Sequence, residues 1–122
     1  MTELNEVVIV DYLRTPISRS RPNQPERDVF HEIPADILLS LVIKELISRA
    51  KFDPSDIDEV ITGCANQVKE NFLYGGRHPI FLGELPASIA AMGIDRQCGS
   101  SMSSVHIGAM EIMTGNSDIV LA

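Results

Sequence analysis

The sequence predicts an α/β fold in which strand and helix alternate three times before a fourth strand, the strands forming a mostly parallel sheet. Three observations point there: β-branched runs at Val7-Val8-Ile9-Val10 and Val60-Ile61-Thr62, apolar residues at helical spacing in two longer segments, and turn residues between them. Parallel neighbours need right-handed crossovers, so helices are expected to cover the sheet.

Taken in order, Val7–Val10 is a continuous apolar run ending in Asp11, Arg14 and Pro16, which predicts a strand buried on both faces. Arg14 to Glu32 carries Pro16, Pro22 and Pro25 and is expected to be an irregular surface loop. Pro34 stands where a first helical turn accepts proline, and Ala35 to Lys51 places Leu38, Leu41, Val42 and Leu46 on one predicted apolar face. Asp53-Pro54-Ser55 marks a turn, followed by a second strand from Glu59 to Ala65 that ends near Asn66. Tyr74 to Leu82 is the next helix, and Leu85-Pro86 separates it from a third strand, Ser88 to Ile94, weakened by Gly93. Cys98 to Thr114 is helical through Met102, Val105, Ala109, Ile112 and Met113, stops at Gly115-Asn116, and gives way to a fourth strand at Asp118 to Ala122.

That last helix carries Gly99, Ser100, Ser101, Ser103, Ser104, Gly108 and Ala109 in place of a charged outer face, so it is expected to be buried on most sides. One sheet covers one side, and the other needs further protein. A buried strand in an α/β sheet normally feeds another connection, so residues 1–122 are expected to form the front, incomplete part of a larger domain.

Composition narrows the function. The chain has 122 residues, 44% of them hydrophobic, with mean hydropathy near zero, which excludes a disordered or collagen-like chain. Seventeen acidic against ten basic side chains leave a net charge of −7, a field that repels nucleic acid and anionic lipid, and neither partner is expected. No apolar run approaches the roughly 20 residues of a membrane helix. Glu3 and Glu6 near the start are unlike the positive end of a signal peptide, so a cytoplasmic protein is expected. Cys64 and Cys98 lie far apart without CxxC spacing, which argues against a metal site and against a disulfide framework.

Cys98 sits where the third strand hands over to the third helix, beside the unpaired N–H groups of a first turn, a placement that suits a nucleophile and equally a small buried residue at a tight corner, so position alone does not decide. A free cysteine is mostly thiol at neutral pH, and a helix-end field worth about 1 kcal/mol leaves it so, so attack on an acyl carbon needs an added base, typically histidine. His31 and His78 have no spacing that ties them to Cys98. His106, eight residues further on, lies about 12 Å along the helix axis at roughly 1.5 Å per residue, beyond hydrogen-bond reach. All three are expected to be surface or packing histidines. Cys64, inside a strand, is expected in the core. Arg14, Arg19, Arg21 and Arg27 lack glycine-rich phosphate-cradling spacing and are assigned no ligand.

Ile94-Asp95-Arg96-Gln97-Cys98-Gly99-Ser100-Ser101-Met102, followed by Met113-Thr114-Gly115 and Asp118-Ile119-Val120-Leu121-Ala122, resembles the active-cysteine segment of the thiolase family. The Cys-Gly-Ser-Ser-Met form is similar to that of thiolases of fatty-acid β-oxidation. Arg14-Thr15-Pro16-Ile17, Asp58-Glu59-Val60-Ile61-Thr62-Gly63, and Arg77 with Leu85-Pro86 resemble further thiolase stretches in order, covering nearly the whole chain. Asp95, where the family usually has asparagine, Ser18 for a common glycine and Gly93 for a common threonine depart from the pattern.

The resemblance implies a thiolase-like fold, here an N-terminal βαβαβαβ half-domain, with Cys98 as the catalytic residue. It implies an acyl-cysteine thioester formed from acetyl-CoA or a 3-ketoacyl-CoA, in thiolytic cleavage or Claisen condensation, with the CoA thioester as substrate and no separate cofactor. Family members are several times longer. The activating histidine, a second cysteine and most CoA-binding residues are expected beyond position 122, so competence is expected only with the remaining thiolase polypeptide or a partner subunit. A homo-oligomer is implied by the resemblance alone. A β-ketoacyl synthase shares the fold, but Thr-Ala usually precedes its cysteine, where Arg96-Gln97 stands here. The other reading is a non-catalytic thiolase-like subunit acting in assembly.

Overall fold

The computed structural model describes residues 3–73 and 77–122. Three helices, α1 (Ala35–Arg49), α2 (His78–Leu82) and α3 (Ser100–Thr114), accompany three strands, β1 (Glu59–Gly63), β2 (Ala90–Ile94) and β3 (Val120–Leu121). The sheet is parallel throughout, in the order β2-β1-β3, so β1 is central. Its register pairs Glu59 with both Ala90 and Val120, and Gly63 with Ile94.

Alternation along β1 divides the molecule into layers. Val60 enters a core with Ile43, Ile57, Ile80, Leu85 and Ile89, built from α1, α2 and their connections. Ile61 and Gly63 turn to the opposite face, where α3 lies. A methyl on Gly63 would stand 2.5 Å from the Ser100 carbonyl carbon and the Ser101 nitrogen. On Gly108 it would stand 2.9 Å from Val120 Cγ1. The helix lies on the sheet so closely because the residues between them are small. Ser100, Ser103, Ser104 and Gly108 are its buried residues. Each buried hydroxyl is satisfied by a carbonyl: Ser103 Oγ donates to Gly99 O at 3.0 Å and Ser104 Oγ to Ser101 O at 2.7 Å. At the far end Gly115 adopts φ 75° and its N–H reaches Glu111 O and Ile112 O, the left-handed stop that glycine tolerates without steric cost.

The expected α/β class with a parallel sheet stands, but three details are corrected. The Val7–Val10 strand does not form. Its residues pair with no strand, and Val8, Ile9 and Val10 are 66–79% exposed. Asn5 instead donates its N–H to Met113 O and its side-chain amide to Ile112 O, both at 3.0 Å, tying the segment to the end of α3. Composition encodes an appetite for burial, whereas a strand also needs a neighbour's backbone. Apolar hollows of about 470 and 290 Å³ separate Val10 from β3 and α1, and the run from α3.

In α1 the core-facing stripe is Leu39, Ile43 and Ile47 at a spacing of four, with Ser40, while Leu41 is 54% exposed. The predicted face was rotated because nearly every side of this helix is apolar. The second strand stops at Gly63, short of Asn66, since Cys64 N–H makes the last bond to β2, at Ile94 O. As expected from its small residues, α3 is covered by the sheet on one side and open on the other. Met102 and Met110 are 61% and 54% exposed, so the small residues mark close approach to the sheet and leave the bulky ones on the open side. The predicted Tyr74 to Leu82 helix is observed as His78–Leu82, residues 74–76 lying outside the described residues.

Two adjacent carboxylates stitch the sheet with opposite pH dependence. Asp58 Oδ2 accepts the N–H groups of Asp118 (2.7 Å) and Ile119 (3.1 Å), and these bonds hold its carboxyl below the usual range. Glu59 is pushed up by burial and then by the Glu111 carboxyl, whose Oε2 already accepts Ser117 Oγ at 3.1 Å. A lowered folded-state value stabilises above the unfolded carboxylate range and is lost as pH falls through it. Asp58→Asn is therefore expected to cost about 1 kcal/mol at neutral pH, discounted for exposure, and progressively less as pH falls through the lowered folded-state range, read from urea midpoints.

A raised value has the reverse sign. Native Glu59 favours folding while protonated and costs stability as pH rises through its folded-state range. Glu59→Gln is thus expected to raise the neutral-pH urea midpoint by a few tenths of a kcal/mol in equivalent stability, with no gain in mild acid. An unchanged midpoint difference across the titration would dismiss the raised Glu59 carboxyl.

Candidate active site

Between Ile94, the last residue of β2, and Ser100, the first of α3, five residues turn the chain through a tight corner. Gln97 occupies the left-handed region at φ 50°, which a residue with a side chain adopts only under constraint. The constraints are visible. Asp95 Oδ1 accepts the Gln97 N–H at 2.9 Å, and Gly99 N–H closes on Arg96 O at 3.0 Å. Ser100 Oγ accepts the Arg96 N–H at 3.0 Å and donates to Gln97 O at 2.6 Å. Below the corner Gly63 presses the end of β1 against the first turn of α3.

Cys98 follows the left-handed residue and is exposed, ahead of a helix whose first-turn N–H groups point toward its end of the axis. Cys98 therefore sits open to solvent at the strand–helix corner, an arrangement able to present a thiol to an acyl carbon. Arg96, two residues back, is exposed. Cys64 is half-buried rather than deep in the core, because β1 has already ended at Gly63.

The histidines are not gathered around this sulfur. His31 Nδ1 lies 2.9 Å from Asp28 O and its Nε2 3.7 Å from Glu32. His78 Nε2 lies 3.1 Å from Asp36 Oδ2, joining α2 to the first turn of α1. His106 lines a hollow of about 410 Å³ on the open face of α3 with Arg96, Met110 and Met113. Among the described residues no histidine nitrogen hydrogen-bonds Cys98, and no group of three His, Cys, Asp or Glu could hold a metal ion. In the arginine loop, Arg14 and Arg27 donate to Thr15 O (2.9 Å) and Gln24 Oε1 (3.0 Å), while Arg19 and Arg21 border a shallow surface hollow.

Four residues that build the corner went unflagged by sequence patterns: Gly63, Asp95, Gln97 and Ser100. A glycine closing a strand is a signal for close backbone approach, and a serine in a first helical turn is a signal for a side-chain bond to backbone. The left-handed Gln97 has no such signal.

A parallel sheet with a helix packed on it, and a cysteine at the junction where a strand gives way to that helix, define an α/β protein with a site at the carboxyl end of its strands. Comparison with known proteins makes the class specific. The family model of the thiolase N-terminal domain matches residues 7–122, and the chain belongs to the thiolase family. It is 39% identical over 119 residues to a 3-ketoacyl-CoA thiolase of Colwellia psychrerythraea, covering 97% of this chain and 30% of that protein. To a 3-ketoacyl-CoA thiolase of Acinetobacter baylyi it is 35% identical over 123 residues, covering 99% and 30%. The crystal structure of the Bacillus anthracis acetyl-CoA acetyltransferase superposes with a TM-score of 0.67 at 26% identity, over 76% of this chain and 23% of that one. The chain thus spans about 30% of the length of the curated relatives it matches.

Proposed function

We propose that this chain carries the nucleophile of a thiolase-type acyltransferase acting on 3-ketoacyl-CoA or acetyl-CoA. The observation that carries the reading is the exposed Cys98 at the strand–helix corner, within a chain matched to the thiolase N-terminal domain along nearly its whole length. In thiolytic cleavage the Cys98 sulfur attacks the 3-keto carbon and gives up its proton to a base. The C2–C3 bond breaks, C2 leaves and is protonated as acetyl-CoA, and the shortened acyl group stays on sulfur. The thiol of a second CoA then attacks the thioester, and Cys98 recovers its proton. Condensation runs the same steps in reverse.

The chain's own histidines are engaged elsewhere or lie two turns up α3, so the base, the CoA contacts and the cover for the open face of α3 come from further thiolase polypeptide. Residues 1–122 act as the front part of the N-terminal domain in a cytoplasmic assembly of fatty-acid metabolism, in which homo-oligomerisation follows the family pattern.

Thiolysis of acetoacetyl-CoA by CoA tests the reading. The chain alone is expected to show no turnover, and the chain joined to the remainder of the Colwellia psychrerythraea thiolase is expected to consume both substrates and release acetyl-CoA. A soluble, folded chimaera without turnover would favour the second reading, a non-catalytic thiolase-like subunit. The open apolar side of α3 supports that reading, since an assembly surface requires no chemistry.

A further inference from the structure

Cys98 follows a residue whose backbone is held where side-chain-bearing residues rarely go, and a strained turn persists only where its surroundings over-determine it. Two side chains do so here. Asp95 supplies a carboxylate oxygen to the Gln97 N–H from the start of the corner. Ser100, only 4% exposed, works from the end, its single hydroxyl accepting from Arg96 N–H and donating to Gln97 O. Together they clamp the peptide groups on both sides of Gln97, immediately ahead of Cys98. We infer that Asp95 and Ser100 are positioning residues for the Cys98 sulfur, an inference that rests on the acyl-transfer reading for its purpose but not for its test. It also accounts for a departure from the family pattern. The bond needs one side-chain oxygen acceptor, which asparagine and aspartate both possess, so aspartate at position 95 preserves the corner.

Site-resolved alkylation by iodoacetamide, read by mass spectrometry, measures the effect in the folded chain, with Cys64 as an internal reference. Asp95→Ala and Ser100→Ala are each expected to slow Cys98 alkylation about fivefold relative to Cys64, the scale of a lost helix-end interaction. Asp95→Asn is expected to restore the wild-type ratio. If Ser100→Ala unfolds the chain, both cysteines become equally reactive, and the Asp95 pair of variants decides. A Cys98 to Cys64 ratio unchanged in Asp95→Ala, or reduced equally in Asp95→Asn, would overturn the inference. Alkylation involves no acyl transfer, so failure of the positioning idea and failure of the proposed activity are separable.

Discussion

Replacing Cys98 by alanine is expected to remove turnover from the completed enzyme by at least about ten-thousand-fold, while Cys64→Ala leaves it within a few-fold. The asymmetry follows from where the two sulfurs sit. Cys98 is exposed, preceded by a clamped left-handed residue and followed within two residues by a helix. Cys64 is half-buried at the end of β1, one position beyond a glycine whose missing side chain faces α3. Removing the atom that forms the covalent intermediate leaves only binding and polarisation, whereas removing Cys64 deletes one sulfur from a partly packed site. Steady-state thiolysis by the two variants, each with an unchanged urea midpoint, checks the pair. Comparable losses in both would show that the sulfurs had been assigned the wrong roles.

Among the described glycines, Gly63→Ala is expected to give the largest loss of stability. The new carbon would lie 2.5 Å from backbone atoms of Ser100 and Ser101, and a helix backbone cannot rotate aside as a flexible side chain can. Overpacking of this kind costs about 1–3 kcal/mol, a large share of the roughly 5–15 kcal/mol that holds a domain together. The relief available is to lift the N-terminus of α3 off the sheet, which also moves Cys98. Urea denaturation is expected to show an early midpoint, and alkylation of Cys98 a changed rate. At Gly99 the nearest neighbour of an added methyl is Arg96 O at 3.4 Å, and Gly99→Ala is expected to cost about 1 kcal/mol or less. Equal midpoints for the two variants would contradict the close packing of β1 against α3.

Periodicity and turn residues were enough to locate α3 and its glycine stop, the turn at Pro54, and the parallel class, because local pattern decides each of these. The corner bearing Cys98 was legible for a related reason, as strand composition gives way to helix composition on either side of it. The apolar run Val7–Val10 read as a strand because hydrophobicity reports a need for cover, yet pairing depends on a partner backbone that local sequence does not specify. The face of α1 was misassigned where Leu38 to Leu41 are apolar around most of one turn apart from Ser40, so that tertiary contact chose Leu39 and Ile43. At the site the proposed nucleophile was picked out from the sequence, but not the residues that build its corner. That Asp95, Gln97 and Ser100 form one clamp follows from a backbone angle and three hydrogen bonds that exist only once β2 and α3 are in place.

The central claim is that the Cys98 sulfur carries the acyl group. The most direct measurement is the mass of the Cys98 peptide after the completed enzyme is mixed with acetoacetyl-CoA without free CoA and quenched in acid. An acetyl thioester on Cys98, discharged when CoA is added, is the expected result. Product formation with Cys98 unmodified throughout, or with the acyl group on another residue, would contradict it.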